Sequence, residues 1–196
     1  LCLQEVACDE EDMHHAISLH LPSFLDDYDV FFIPGIGNRG VVTIVNKSLN
    51  PKLINDVRLG ERVLWVQCNY KSEKINVINC YYNPSAEHYS TGKNRERVMR
   101  EDLNYLSCGN NDMRHQDYKT RIVMGDMNVG FDSFCNYIKN NDNKNNVNVL
   151  GGDQTPTFYP ALKTLTRGSQ LDHVALVNAQ FSTVSLFVPF GHIQTL

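Results

Sequence analysis

Arg121-Ile122-Val123-Met124-Gly125-Asp126-Met127-Asn128 runs from a short apolar strand straight into an acid and an amide. Taken alone, a Gly-Asp after a strand is most simply a turn. The same pattern recurs elsewhere, however: acidic groups also fall where other strands end, at Glu5 and Asp172. Strand ends are rigid places from which to present ligands. A magnesium ion takes oxygen ligands, usually one or two carboxylates completed by water and substrate phosphate. A strand-end Glu and a strand-end Asp, far apart in sequence, can therefore meet around one ion.

Outward from that stretch, strands outnumber helices. Residues 1–3 read as a strand ending at Glu5. Asp9, Glu10, Glu11 and Asp12 crowd a helix start, where carboxylates suit the positive end of the dipole. Met13, Ala16, Ile17 and His20 keep helical spacing. Residues 30–33 are a short apolar run, Gly35, Gly37 and Gly40 mark a turn, and the β-branched run 41–45 fits a buried strand. Strands follow at 63–70 and 75–82, split by the turn Lys71-Ser72-Glu73. Residues 95–106 suit a helix with Val98, Met99, Leu103 and Leu106 on one side. A short helix is expected at 134–138, an exposed Asn-rich loop at 140–148, and two strands at 171–177 and 181–188. With no repeat and no linker, this pattern favours one α+β domain over residues 1–196, built on packed, mostly antiparallel sheets.

Composition sets bounds on this reading. The 196 residues suffice for a substantial core, and 42% hydrophobic content is that of an ordinary globular domain. A net charge of -4 argues against a surface coated in positive charge to grip nucleic acid, while leaving room for a local basic patch. Cys2, Cys8, Cys68, Cys80, Cys108 and Cys135 show no CxxC spacing and read as reduced thiols of an intracellular protein, nuclear or cytoplasmic. There is neither a signal peptide nor an apolar run of transmembrane length. Asn46-Lys47-Ser48 is a glycosylation sequon of a kind that arises often by chance. The opening Leu-Cys-Leu-Gln-Glu begins inside a strand, which reads as a fragment.

The order of the pieces carries further. Leu3-Gln4-Glu5, Gly37-Asn38-Arg39-Gly40, Tyr82-Asn83-Pro84, Gly125-Asp126-Met127-Asn128, Ser169-Gln170-Leu171-Asp172-His173 and His192 follow one another. In this order they resemble the endonuclease/exonuclease/phosphatase superfamily of metal-dependent phosphodiester hydrolases. The resemblance covers essentially the whole chain, and GDMN and SQLDHV are its most specific parts. It implies a four-layer α/β/β/α sandwich of the DNase I-like kind, with Mg²⁺ or Mn²⁺ as cofactor. The family's first strand has no counterpart, which reads as an N-terminal truncation.

By the same resemblance, Glu5 is the principal metal ligand, shared with Asp126. Tyr82 is similar to the tyrosine that contacts the scissile phosphate; Tyr81 competes for the role but lacks the Y-x-P spacing. Asp126 orients or deprotonates the attacking water, and Asn128 positions the phosphate or Asp126. Asp172 holds the catalytic histidine. His192 matches that histidine better than His173, because residues 174–177 continue as a strand and another apolar strand precedes His192. Gly191 stands where the family has an Asp, a departure expected to weaken activity.

Thr155-Pro156-Thr157-Phe158 ahead of the SQLDH segment resembles the endonuclease domains of LINE-type retrotransposons, with AP endonucleases of DNA repair as the alternative. DNA is then the expected partner, bound by a monomeric domain, with reverse transcriptase in the same polyprotein. Arg39, Lys93, Arg95, Lys163 and Arg167 are candidate phosphate contacts. Against this, Glu96, Glu101 and Asp102 interleave the basic run at 93–100, as on an ordinary solvated helix face. A reading from another class is a remnant that binds nucleic acid or a partner without cleaving it.

Overall fold

Strand β3 (Gly40–Asn46), Gly-Val-Val-Thr-Ile-Val-Asn, is the centre of the smaller of two sheets. The computed structural model describes residues 1–34, 39–56, 58–83, 94–108, 120–139, 146–150 and 172–179. β3 pairs antiparallel with β1 (Cys2–Val6) on one side and β2 (Tyr28–Ile33) on the other. Helix α1 (Glu10–His20) and the single turn α2 (Phe24–Asp27) connect β1 to β2. The expected acidic start is a true cap: the Asp9 carboxylate accepts from the Asp12 N–H at 2.8 Å. Glu10, Glu11 and Asp12 fill the first turn and His20 the last, matching the helix dipole at both ends.

The second sheet has six strands in the order β4-β5-β6-β7-β9-β8. These are β4 (Lys52–Ile54), β5 (Val63–Tyr70), β6 (Glu73–Tyr81), β7 (Thr120–Asp126), β8 (Val147–Leu150) and β9 (Asp172–Val177). All pairs are antiparallel except β6 with β7, between which α3 (Arg95–Cys108) lies in the chain. Helix α4 (Phe131–Ile138) follows β7. The structure departs from the sequence reading in its details: α2 was not expected, and β2 starts at Tyr28 rather than at residue 30. β4 was not anticipated; β8 begins within the stretch read as an Asn-rich loop; and α4 starts three residues earlier than expected. The expected strand at 181–188 lies outside the described residues. Among the described residues no helix is long and apolar enough to cross a membrane.

Two cores sandwich the large sheet. Val41 and Val45 of β3 meet Leu64, Val66, Cys68 and Tyr81 between the sheets. On the other face, Trp65, Ile78, Cys80 and Val123 pack against Met99 and Leu103 of α3 and Phe134 and Ile138 of α4. Successive residues of a strand face opposite ways. On β6, Val77 and Tyr81 therefore look toward the small sheet, while Ile78 and Cys80 look toward the helices. Both faces are buried from Ile75 onward, and apolar residues there are interrupted only by the buried amides Asn76 and Asn79. This is the two-sheet, helix-flanked α+β architecture expected from the sequence.

Gly125 closes β7 at φ 135°, and a Cβ there would lie 2.0 Å from the carbonyl oxygen of Cys80 on the neighbouring strand. Only glycine lets the two backbones run this close in that conformation. Gly125→Ala should destabilise the fold by about 3 kcal/mol or more, combining backbone strain with overlap against a backbone that cannot yield. Urea unfolding of the variant against the parent measures this.

Candidate active site

Partner residues on adjacent strands point to the same face of a sheet. Tyr81 of β6 is opposite Asp126 of β7, and Asp126 is opposite Asp172 of β9. These three form a row at one end of the large sheet, on the face turned toward β1 and β3. Glu5 completes the group from the small sheet: the Tyr81 hydroxyl donates to its Oε1 at 2.5 Å. Arg39, just before β3, donates to the same oxygen from Nη1 at 2.7 Å. The ion pair is half exposed, with side chains 47% and 45% accessible, so it is held loosely and is screened by water.

Glu5 reaches this position through an irregularity. β1 carries one residue more than β3 between the pairs Leu3–Val42 and Val6–Gly40. Glu5 absorbs the extra residue in a left-handed conformation, φ 56°. Bulges of this kind re-aim a side chain. A non-glycine residue held at positive φ commonly marks a functional position where surrounding contacts over-determine the backbone. Asn128 is a second such residue, φ 51°. Its N–H donates to Asp126 Oδ1 at 2.9 Å, and its Nδ2 donates to the Tyr82 carbonyl at 3.2 Å. Arg95, at the start of α3, reaches the Asn128 carbonyl at 3.5 Å. It thus stands beside the GDMN turn.

Desolvation, together with the charges of Asp172 and Glu5, pushes the Asp126 carboxyl up to about 6, against the hydrogen bonds from Asn128. Burial and the Glu5 carboxylate likewise push the Tyr81 phenol up, so it remains a donor. A divalent cation would relieve the charge that Glu5 and Asp172 place beside Asp126, and Glu5 and Asp126 are the pair that could hold one. In its present geometry Glu5 is turned onto Arg39 and Tyr81. Among the described residues no three His, Cys, Asp or Glu side chains are gathered tightly enough to enclose a metal by themselves. Water and substrate oxygens would have to complete the shell.

The two tyrosines lie on opposite faces of the large sheet. Tyr82 is completely buried, and its hydroxyl donates to Asp102 Oδ2 of α3 at 3.1 Å, beside Arg62. It lies one residue beyond Tyr81 and so faces the helix layer, away from the carboxylates. The Y-x-P spacing pointed to Tyr82, whereas strand parity puts Tyr81 on the face of the carboxylates. His173 also lies in the core, 2% exposed, stacked on Phe134 at 4.7 Å with its Nε2 donating to the Val129 carbonyl at 2.7 Å. Arg97 and Arg100 pair with Glu101 and Glu96 one turn along α3, the solvated-face arrangement. Lys93, Lys163, Arg167, Gly191, His192 and the 155–158 segment lie outside the described residues. Sequence reasoning weighed Tyr81 but ranked it below Tyr82, and it missed the fully buried Asn79, whose polarity within the strand was the available signal.

No protein-family model matches the sequence, and no curated protein matches it. Solved structures share its architecture. TDP2 from D. rerio, complexed with single strand DNA product, is 18% identical with a TM-score of 0.57, covering 91% of this chain and 70% of that one. AP endonuclease LMAP from Leishmania major is 17% identical at a TM-score of 0.55, covering 90% and 68%. An endonuclease/exonuclease/phosphatase family protein from Leptotrichia buccalis is 17% identical at 0.52, covering 91% and 75%. At these identities the likeness establishes the fold: this chain has the DNase I-like fold of endonuclease/exonuclease/phosphatase proteins.

The raised Asp126 has a consequence for stability without metal. A carboxyl whose folded pKa lies above its ordinary 3.8 favours folding below that value, and loses this contribution as pH rises through about 6. In EDTA at about pH 8 the parent carries a repulsive charge that Asp126→Asn lacks. The variant should therefore melt higher than the parent there, and the difference should vanish by about pH 4. A set of melting curves across pH checks both the sign and the window.

Proposed function

We propose that this chain is a divalent-metal-dependent phosphodiester hydrolase that nicks DNA, and that it is the endonuclease domain of a LINE-type retrotransposon. The observation that carries the first part is the convergence of Glu5, Tyr81, Asp126 and Asp172, contributed by both sheets, at one rim with Arg39 and Arg95 beside them. The retrotransposon assignment rests on Thr155-Pro156-Thr157-Phe158 ahead of the SQLDH segment. The AP endonuclease reading is favoured by the structural likeness to the Leishmania enzyme and differs in substrate only.

Mg²⁺ or Mn²⁺ held by Glu5 and Asp126 would polarise a phosphate oxygen and lower the pKa of a bound water. Asp126 accepts a proton from the attacking water, held in place by the Asn128 N–H. The Tyr81 hydroxyl, once shared between Glu5 and substrate, donates to a phosphate oxygen as negative charge builds. Asp172 orients the catalytic histidine, the role the resemblance gives it, with His192 as that histidine. Arg39 and Arg95 contact flanking phosphates, a sequence-independent term that weakens with salt.

Supercoiled plasmid should be nicked in Mg²⁺ and preserved in EDTA, with Glu5→Gln inactive. Equal retention of supercoiled DNA with and without EDTA would overturn the nuclease reading in favour of a non-cleaving remnant. Plasmid with and without abasic sites separates the two substrate readings.

The two tyrosines should part company in the same assay. Tyr81→Phe should keep its melting temperature and lose about 10²-fold in nicking rate, the typical cost of removing one donor to developing charge. Tyr82→Phe should lose about 1–3 kcal/mol of stability, since it leaves the buried Asp102 short of a donor, and should nick normally below its melting temperature.

A further inference from the structure

Consecutive residues of a strand ordinarily face opposite ways. Gln4 and Glu5 nevertheless both reach the same face of β6: Gln4 Nε2 donates to Asn79 Oδ1 at 2.5 Å, and Glu5 accepts from Tyr81. Asn79 and Tyr81 are two residues apart and look the same way. Such a double engagement is possible only because Glu5 takes the left-handed conformation at the bulge.

Asn79 is fully buried between the sheets. Its Nδ2 donates to the Val42 carbonyl at 2.9 Å, the Leu3 carbonyl at 3.2 Å and Thr43 Oγ1 at 3.3 Å. Leu3 and Val42 are the last regular pair of β1 and β3 before the extra residue. Two of these acceptors are carbonyls and cannot donate, so the amide must present its NH₂ to them and its oxygen to Gln4. An aspartate or an aliphatic residue cannot satisfy that set. We infer that Asn79 is a positioning residue for Glu5: its buried carboxamide pins β1 and β3 immediately before the bulge and forces the next residue to turn its carboxylate onto the rim. This rests on the reading of Glu5 as a metal-holding residue.

A buried asparagine on the same strand supplies the control. Asn76 is equally buried on the opposite face of β6, accepting from Trp65 Nε1 at 2.9 Å and donating to the Thr120 carbonyl at 3.1 Å. It makes comparable hydrogen bonds and none to β1. If Asn79 were merely a satisfied core amide, the two would behave alike.

The test compares the full chain with Asn79→Leu, Gln4→Met, Asn76→Leu and Glu5→Gln. Two readouts besides activity are taken: the NMR backbone coupling and Cα shift of residue 5 in metal-free protein, and Mn²⁺ affinity by calorimetry. Asn79→Leu should lose the left-handed signature at Glu5 and weaken Mn²⁺ binding by about 10–100-fold, the usual cost of losing a partner that orients a ligand. Gln4→Met should move both readouts in the same direction by less. Asn76→Leu should lower the melting temperature and leave both unchanged. Retention of the Glu5 signature in Asn79→Leu, or an equal shift in Asn76→Leu, overturns the inference. If Asn79→Leu does not fold, Gln4→Met decides by the same criteria. A parent that binds no Mn²⁺ refutes the metal reading of Glu5, and the NMR signature alone then decides for or against Asn79.

Discussion

Glu5 can stand in the carboxylate group only because β1 breaks its own alternation. The bulge places Gln4 and Glu5 on one face, and the left-handed backbone at Glu5 turns its carboxylate to the rim. Such a conformation costs of the order of 1–3 kcal/mol for a non-glycine residue and persists when its surroundings over-determine it. Here the surroundings are the Asn79 carboxamide, the Tyr81 hydroxyl and the Arg39 guanidinium. Two of these three come from the other sheet. The site therefore exists only as long as the sheets keep their relative placement.

That placement is fixed by unlike forces on the two faces of β6. Toward the helices it is largely apolar burial, with polar exceptions at Asn76 and at the trio Tyr82, Asp102 and Arg62. A buried ion pair adds little net stability, but removing one member leaves an uncompensated charge, so the trio fixes where α3 sits. Toward the small sheet, apolar contacts are fewer and the Asn79 amide supplies direction. Hydrophobic contact alone would tolerate a slip of one sheet over the other; four hydrogen bonds from one buried side chain would not.

The rim is arranged at the expense of stability. Asp126 and Asp172 are neighbours on paired strands, and Glu5 adds a third carboxylate. Burial and mutual repulsion raise the proton affinity of Asp126, the opposite of what a stabilising surface network does. Arg39 offsets part of this as a half-exposed counter-ion. A cluster that is electrostatically unfavourable when empty of cations is well placed to gain from binding one, and Arg39 is exposed enough to exchange Glu5 for a phosphate.

Sequence alone determined the strand-rich architecture, the capped first helix, the apolar stripe of α3 and the strand-end acids. These depend on local spacing and chemistry: β-branched runs, acids at a helix start, a glycine before an aspartate. It also put His173 at the head of a strand, because residues 174–177 continue as one. Tertiary structure alone decided which tyrosine faces the carboxylates. With β6 buried on both sides, no polar–apolar alternation marked its faces, and motif spacing pointed to Tyr82 while strand parity gives Tyr81. Only the folded chain likewise shows the extra residue in β1, since a bulge is a relation between two strands and neither strand's sequence contains it.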